Sequence, residues 1–193
     1  MIDDCTAIIL AGGESQRMGR DKAMLPFADQ PLIQSIISVI QPLFPTTILS
    51  VRECRPEISL PQVCDKQADG GPLMGLLSAM SGINTSWAFV VGCDMPFVSS
   101  ALVQQLAEQR FQQQAVIPVV HGQLQPLSAF YARSCLPLMH NSFSQGDKSL
   151  LGAIKHLQVS YVDETMMMQT DPQLRSFLDL DTPHDLAMAQ QLA

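Results

Sequence analysis

The stretch ILAGGESQRMGRDK, residues 9–22, decides the fold, because it ends an apolar run at two glycines. Three cations, Arg17, Arg20 and Lys22, then occur within a segment of six residues. The chain as a whole is acidic, with a formal net charge of −7 over 193 residues. Positive charge gathered after a glycine turn in an acidic chain indicates a local site for an anion.

The residues of this loop suit a phosphate group. Gly12 and Gly13 can adopt positive φ, and they allow backbone N–H groups to come close to a ligand. Arg17 and Lys22 add full charges, the first as a donor of two parallel hydrogen bonds and the second as a point charge. The alternative is an ordinary turn between strand and helix that carries a solvated basic patch. The stretch matches neither G-x-x-x-x-G-K-[ST] nor G-x-G-x-x-G, so a P-loop and a dinucleotide site both lose their main support.

Outward from this loop, strands and helices are predicted to alternate along the chain. Apolar runs predict strands at residues 6–11, 46–51, 62–65, 86–92, 115–120, 127–131, 158–162 and 176–180. Helical spacing predicts helices within residues 31–43, 71–83, 102–107, 149–157 and 182–192. This alternation predicts one α/β domain over residues 1–193, a three-layer Rossmann-like fold whose mostly parallel sheet is covered on both faces.

Three positions refine this prediction. Pro118 interrupts the fifth strand, which we therefore expect at an edge of the sheet. Thr182 is expected to cap the last helix, with Pro183 at its first position. Ligands of open α/β sheets bind at the carboxyl ends of the strands, where the glycine pair, Asp65 and Asp94 all fall.

Composition excludes several classes of protein. Hydrophobic residues make up 47 % of the chain and charged residues 15 %, which is enough apolar material for a sizeable core. No run of about 18 apolar residues occurs and the N-terminus lacks a basic region, so we expect a cytoplasmic protein that does not bind a membrane. The acidic balance argues against nucleic acid as a partner. The five cysteines form no C-x-x-C pair, and we expect them to be buried or half-buried reduced thiols.

At this point the sequence resembles a known superfamily. Residues 10–13, LAGG, are followed by Ser15, by RMG at 17–19 and by Asp21-Lys22, and this order is similar to the signature of the NTP-transferase superfamily of nucleotidyltransferases. One branch, the MobA-type molybdenum cofactor guanylyltransferases, matches further segments. They are Asp65, then GPLMG at 71–75, CDMP at 93–96 and LDLDTP at 178–183.

The resemblance implies an activity and its participants. The enzyme would transfer GMP from GTP to the terminal phosphate of molybdopterin, release pyrophosphate and give the guanine dinucleotide form of the molybdenum cofactor. It would use Mg²⁺ held by Asp94. Its partners would be GTP, the molybdopterin cofactor and proteins of molybdoenzyme maturation.

The resemblance also implies roles for single residues. Lys22 and Arg17 would neutralise the phosphates, and with Asp94 they would carry catalysis. Lys148, Asp179 and Asp181 are the candidates for binding the acceptor. The nucleotide would be contacted by Leu10, Ala11, Gly12, Gly13, Lys22, Ser50, Asp65, Gly71, Gly75 and Asp94.

The chain departs from the family pattern at four positions. Met74 replaces a small residue, and Ser50 stands where the family usually has an asparagine. Asp179 and Asp181 replace two neutral amides, and they could favour a second metal ion, shift the acceptor or cap the last helix. Two alternatives therefore remain open: a related nucleotidyltransferase that uses CTP with molybdopterin or acts on a sugar or alditol phosphate, and a binding protein without turnover.

Overall fold

The computed structural model describes residues 1–12, 21–65 and 70–192. Two of the predicted site residues, Gly13 and Arg17, lie outside the described residues. The strands of the described part are β1 (Cys5–Leu10), β2 (Pro26–Phe27), β3 (Gln30–Pro31), β4 (Thr46–Val51), β5 (Gln62–Cys64), β6 (Trp87–Gly92), β7 (Ala115–Val120), β8 (Gln123–Leu124), β9 (Ser128–Ala132) and β10 (Val159–Val162).

Helices connect most of these strands. The α-helices are α1 (Leu32–Ile40), α2 (Gly71–Met80), α3 (Ser100–Ala107), α4 (Leu136–Ser144), α5 (Leu150–Ile154), α6 (Glu164–Met167) and α7 (Pro183–Gln190). Short 3₁₀ helices cover Lys22–Met24, Gln41–Leu43, Arg133–Cys135 and Arg175–Phe177. Within the described ranges, no helix has the length and apolar character needed to cross a bilayer.

The central sheet has the strand order β10-β7-β9-β6-β1-β4-β5, and β8 pairs with β7. Strand β1 lies between β6 and β4 and is parallel to both. β5 is parallel to β4, and β10 is parallel to β7, whereas β9 runs antiparallel to its two neighbours. The predicted α/β fold with a mostly parallel sheet is confirmed.

The two faces of the sheet are covered by different helices. Successive side chains of a strand point to opposite faces, so Ile8 and Ile9 of β1 enter separate clusters of buried residues. Ile9 packs in the cluster that contains the apolar residues of α1 and α3, whereas Ile8 packs in the cluster that contains those of α2, α4 and α5. This sandwich leaves the carboxyl ends of the central strands as the place where a ligand can enter.

Two local predictions were wrong, and one helix was not predicted. β7 is an interior strand, because it lies between β10 and β9. It tolerates a proline because β9 pairs with it only at Ala115 and Val116 and β8 only from Val119 onward, so Pro118 falls between the two antiparallel partners. Residues 176–180 form no strand. There the side chain of Asp171 accepts hydrogen bonds from the N–H groups of two successive residues, 175 and 176, and turns the backbone into a 3₁₀ helix. Helix α4 was not predicted, since its residues His140, Asn141 and Ser142 are weak helix formers.

The prediction for the cysteines was correct in three cases and wrong in two. Cys5, Cys93 and Cys135 are buried, but Cys54 and Cys64 are exposed. All five are free thiols. Cys64 is the last residue of the short edge strand β5, and Cys54 contacts it, so both lie at the open edge of the sheet.

Candidate active site

A cavity of about 470 Å³ opens at the carboxyl ends of β1, β4, β5 and β6, against the first turn of α2. Many of the residues that the sequence predicted for a nucleotide site line it together. These are Leu10, Ala11, Gly12, Lys22, Ser50, Asp65, Gly71, Gly75 and Asp94. The remaining lining residues are Asp21, Ala23, Arg52, Pro72, Gly92, Cys93 and Leu127.

Backbone hydrogen bonds continue past the strand ends and fix the walls of this cavity. The N–H of Ala11 donates to Ser50 O at 2.8 Å, and the N–H of Cys93 donates to Leu10 O at 3.0 Å. Asp65 N donates in the same way to Val51 O at 2.9 Å. Because each bond joins neighbouring strands, the residues that follow β1, β4, β5 and β6 are held in one rigid frame.

Lys22 places a positive charge in the cavity, which Arg52 also lines. It begins the 3₁₀ helix Lys22–Met24, which Asp21 caps by accepting a hydrogen bond from Ala23 N at 3.1 Å. The Lys22 Nζ atom lies 2.7 Å from Asp181 Oδ1 and 3.5 Å from Asp94 Oδ2. Partial burial lowers the pKa of the Lys22 ammonium group, but the hydrogen bond to Asp181 and the charges of Asp94 and Asp181 outweigh it and raise the pKa above its ordinary value.

Asp94 faces Lys22 from the end of β6. A Cβ atom on Gly92 would lie 2.5 Å from Asp94 Oδ1, so the carboxylate occupies space that only a glycine at position 92 leaves open. The backbone oxygen of Asp94 accepts a hydrogen bond from Leu180 N at 2.9 Å. This bond fixes the C-terminal segment against the cavity and brings Asp181 to Lys22.

Asp65 stands at the opposite wall, beside Ser50 and the first turns of α2. The buried Ser50 Oγ lies 3.2 Å from Asp65 Oδ1 and 3.2 Å from Gly75 O. A Cβ on Gly75 would approach Ser50 Oγ to 3.0 Å, and one on Gly12 would approach Asp65 Oδ2 to 3.2 Å. Burial raises the pKa of Asp65, against the opposing effects of the Ser50 hydroxyl and the Arg52 charge. This wall therefore has no room for larger side chains at either glycine.

Arg55 contacts both Ala11 and Asp21. Its guanidinium group donates to both carboxylate oxygens of Asp21, with Nη2 at 3.1 Å from Oδ1. Nη2 also donates to Ala11 O at 3.4 Å. A planar fork can bind both groups at once, so Arg55 connects the two segments that flank residues 13–20.

The three candidates for acceptor binding do not form one cluster. Asp181 joins the site through Lys22. Asp179 is exposed, but partial loss of water and the charges of Asp181 and Asp94 raise its pKa, which indicates that it lies close to them. The capping alternative for Asp181 was wrong, because Thr182 caps α7 in a capping box with Asp185. Lys148 does not line the cavity; its backbone oxygen lies 3.8 Å from the position of a Cβ on Gly71, at the start of α2.

Comparison with known proteins decides the family. The sequence profile of the MobA-like NTP transferase domain matches residues 7–161. The chain belongs to the MobA-like NTP transferase family. The probable molybdenum cofactor guanylyltransferase of Pelotomaculum thermopropionicum is 34 % identical over 97 % of this chain and 93 % of its own. The protein of the same name from Chloroflexus aggregans is 33 % identical over 96 % and 93 %.

Solved structures agree with this fold assignment. The molybdopterin-guanine dinucleotide biosynthesis protein A of Archaeoglobus fulgidus superposes with a TM-score of 0.87 at 24 % identity, covering 97 % of each chain. The 2-C-methyl-D-erythritol 4-phosphate cytidylyltransferase of Thermus thermophilus superposes with a TM-score of 0.70 at 16 % identity over 97 % of each chain. At these identities the likeness establishes the nucleotidyltransferase fold and leaves the base and the acceptor to other arguments.

The oxygen ligands of the MobA-like site suit a hard cation. No group of three or more His, Cys, Asp or Glu side chains within the described ranges could hold a metal ion without further ligands. Mg²⁺ commonly takes only one or two carboxylates and completes its shell with water and substrate phosphates. Asp94 and Asp181 both contact the ammonium group of Lys22, so their carboxylates flank one position that carries positive charge. They are therefore the two carboxylates that could bind Mg²⁺.

Cys93 lines the cavity of this family member but is not a nucleophile. Burial, and then the charge of Asp94, raise the pKa of its thiol to about 12. A thiol that stays protonated at neutral pH cannot attack a phosphate effectively. The site therefore contains no activated cysteine for covalent catalysis.

Sequence reasoning missed several residues that build the site. Asp21 was visible in the signature, but its pairing with Arg55 depends on a contact across 34 positions. Gly92 gave a usable signal, since a glycine that ends a strand just before a motif aspartate often marks a close approach. No local signal distinguishes Arg55 from the other arginines of the chain.

Proposed function

We propose that this chain transfers GMP from GTP to the terminal phosphate of molybdopterin and releases pyrophosphate. The observation that carries the proposal is the 3.5 Å approach of Lys22 Nζ to Asp94 Oδ2 inside one cavity that also contains Asp65. A cation, a carboxylate able to hold a metal ion and a rigid glycine wall are the parts that nucleotidyl transfer requires. The guanine base and the molybdopterin acceptor are inferred from the names of the relatives.

The two ends of the cavity suit the two ends of the nucleotide. The triphosphate would lie near Gly12 and Lys22, where backbone and ammonium N–H groups are available. The nucleoside would lie toward Asp65, Ser50 and Gly75, where a carboxylate can accept hydrogen bonds from base or sugar donors. The close contacts of Gly12 and Gly75 favour a flat or slender group between them.

The reaction itself needs no covalent enzyme intermediate. An oxygen of the acceptor phosphate attacks the α-phosphorus in line and forms a new P–O bond. The bond between the α-phosphorus and the oxygen that bridges to the β-phosphate breaks, and pyrophosphate leaves. Lys22 neutralises charge on the phosphates during this step, and Arg17 is the second cation that the sequence offers.

Asp94, with Asp181, would hold Mg²⁺. When bound, this ion would neutralise and orient phosphate oxygens. The same two carboxylates contact Lys22, so binding of the metal and triphosphate would exchange carboxylate contacts of Lys22 for phosphate contacts. We infer that Asp181 acts on Lys22 and the metal rather than on the acceptor, because a carboxylate would repel an acceptor phosphate. Lys148 remains the candidate cation for the acceptor.

The test combines binding and turnover. Thermal-shift titration with GTP, CTP, ATP and UTP, each with Mg²⁺, is expected to show the largest stabilisation with GTP. Pyrophosphate release is expected only when molybdopterin and GTP are both present. A preference for CTP would overturn the guanine assignment. Binding of GTP without any pyrophosphate release would instead support a binding protein.

A further inference from the structure

Cys54 and Cys64 form a pair of exposed thiols whose Sγ atoms lie 3.3 Å apart. The two residues are ten positions apart in the sequence, and the other three cysteines are buried elsewhere. Cys64 ends the edge strand β5 and lies opposite Val51 of β4, so a small oxidant can approach it from solvent.

The loop between the two cysteines holds them in this arrangement. The N–H of Arg55 donates to Gln62 Oε1 at 2.8 Å, and Gln62 Nε2 donates back to Arg55 O at 2.6 Å. A second bond from Gln62 Nε2 reaches Ile58 O at 3.1 Å. One glutamine side chain thus fixes both ends of the loop, and it keeps the thiols together without a covalent bond.

We propose that Cys54 and Cys64 form a reversible disulfide on exposure to a low-molecular-weight disulfide, and that this bond weakens nucleotide binding in the adjacent cavity. The second part rests on the function proposed above. One protein thiolate attacks a sulfur of the oxidant, forms a mixed disulfide and releases one small thiol. The other protein thiolate then attacks the protein-bound sulfur, forms the Cys54–Cys64 bond and releases the second small thiol. The protein loses two protons and two electrons, and the oxidant becomes two thiols.

The contact between the sulfurs places each thiol within reach of a mixed disulfide formed on the other. The hydrogen bond with Cys54, and then burial and neighbouring charge, raise the pKa of Cys64. Only a thiolate attacks, so the reaction should be faster at alkaline pH, whichever of the two thiols attacks first.

Each of the two cysteines is connected to the cavity through the residue that follows it in the chain. Cys64 precedes Asp65, whose two carboxylate oxygens are closely packed against Ser50 and Gly12. Cys54 precedes Arg55, which binds Asp21 and the backbone of Ala11. A disulfide requires the sulfurs to come within about 2 Å of each other and fixes the dihedral angle about the S–S bond, so it constrains the backbone next to both cysteines. Because Asp65 is closely packed against its neighbours, we expect this constraint to weaken binding in the cavity.

The first arm of the experiment detects the bond itself. The full chain is incubated with glutathione disulfide in EDTA, then acid-quenched, alkylated and digested for peptide mass spectrometry. We expect one linkage, between Cys54 and Cys64, with a mass lower by two hydrogen atoms, and alkylation of Cys5, Cys93 and Cys135 only after unfolding. Cys54→Ser and Cys64→Ser should accumulate the mixed glutathione adduct instead. Stable glutathione adducts on the unmutated chain, or no reaction, would overturn the proposal.

The second arm measures the affinity for GTP before oxidation, after oxidation and after treatment with dithiothreitol. We expect Kd to rise by at least about fivefold on oxidation, the lower end of typical coupling between sites, and to return on reduction. The double variant Cys54→Ser/Cys64→Ser, which keeps neither exposed thiol, should bind GTP like the reduced protein, and its Kd should not change on treatment with the oxidant. An internal disulfide with unchanged Kd would refute the coupling. If the reduced protein does not bind GTP at all, the proposed function fails, while the mass result still decides whether the bond forms.

Discussion

Lys22 Nζ lies 2.7 Å from Asp181 Oδ1, although 159 positions separate the two residues. The contact brings the C-terminal segment, which follows the last strand, to the cavity at the carboxyl end of the first. It also means that the cation expected to bind phosphate is paired with a carboxylate of the protein itself.

Lys22→Ala and Asp94→Ala should each lower turnover by at least about 100-fold, because each removes a preorganised charge at the phosphates. Circular dichroism and thermal unfolding should show that both variants remain folded. Lys155→Ala, which removes an exposed lysine that does not line the cavity, serves as the control and should keep full turnover. Turnover close to that of the unmutated enzyme in either site variant would remove that residue from the mechanism.

Asp181→Asn should bind GTP more tightly when Mg²⁺ is removed with EDTA, since Lys22 then has one carboxylate partner fewer to exchange for the phosphates. We expect Kd from calorimetry to fall by about two- to fivefold. Glu108→Gln makes the same charge change at an exposed position outside the cavity and should leave Kd unchanged. Weaker binding by Asp181→Asn without metal would show that Asp181 does not compete with phosphate for Lys22.

Gly75→Ala should weaken GTP binding, because the new Cβ would lie 3.0 Å from Ser50 Oγ and 3.4 Å from Asp65 Oδ1. The expected loss is about tenfold in Kd, equivalent to about 1.4 kcal/mol. Adding Ser50→Ala removes the nearest atom and should recover part of the affinity. Gly82→Ala, where the nearest atom is 3.7 Å away, is the matched control. Unchanged affinity in Gly75→Ala would indicate that the nucleotide does not use this wall.

Arg55→Lys should raise KM for GTP more than it lowers kcat, because a lysine cannot bind Asp21 with two bonds and Ala11 O at the same time. Steady-state kinetics separate the two effects. Arg133→Lys, at an exposed arginine outside the cavity, should change neither. A loss confined to kcat would assign Arg55 to the chemical step instead of to the positioning of Ala11 and Asp21.

Asp179→Asn should stabilise the fold at neutral pH. The raised pKa of Asp179 means that ionisation of its carboxyl group destabilises the folded state. This loss of folding free energy appears as the pH rises through the pKa of the folded state, and it is absent below the unfolded value of 3.8. The gain should be less than about 1 kcal/mol, because the side chain is exposed and screened by water. Urea unfolding at neutral pH and at about pH 4 should show that the gain in unfolding free energy becomes smaller as the pH falls. A gain that grows toward acid would contradict this sign, and Asp3→Asn, at another exposed aspartate, controls for the loss of charge.

The parts of the fold that sequence could predict are those set by local patterns. The apolar run of β1 ends at glycine, and Thr182-Pro183 begins α7, because strand periodicity and helix caps depend on neighbouring residues. Pro118 was misplaced because its tolerance depends on where β8 and β9 pair, and α4 was missed because burial of residues such as Met139 outweighs weak helix propensity.

The site, like the fold, was predictable from the sequence only where local patterns determine it. A long signature identified Lys22 and Asp94, but the partners that set their charge and position lie far away in sequence. Asp181 was a candidate for the acceptor, and only the packing of the C-terminal segment brings it to Lys22. Arg55 and the Cys54–Cys64 pair depend on the path of one loop beside β5, which no local pattern determines.

The central claim is that one cavity binds the triphosphate between Lys22 and Asp94, and a crystal structure with GTP and Mg²⁺ measures this directly. We expect Lys22 Nζ within hydrogen-bond distance of a phosphate oxygen, a metal ion on Asp94 and the nucleoside beside Asp65. Nucleotide density outside this cavity, or phosphates that contact neither Lys22 nor a metal on Asp94, would contradict the account.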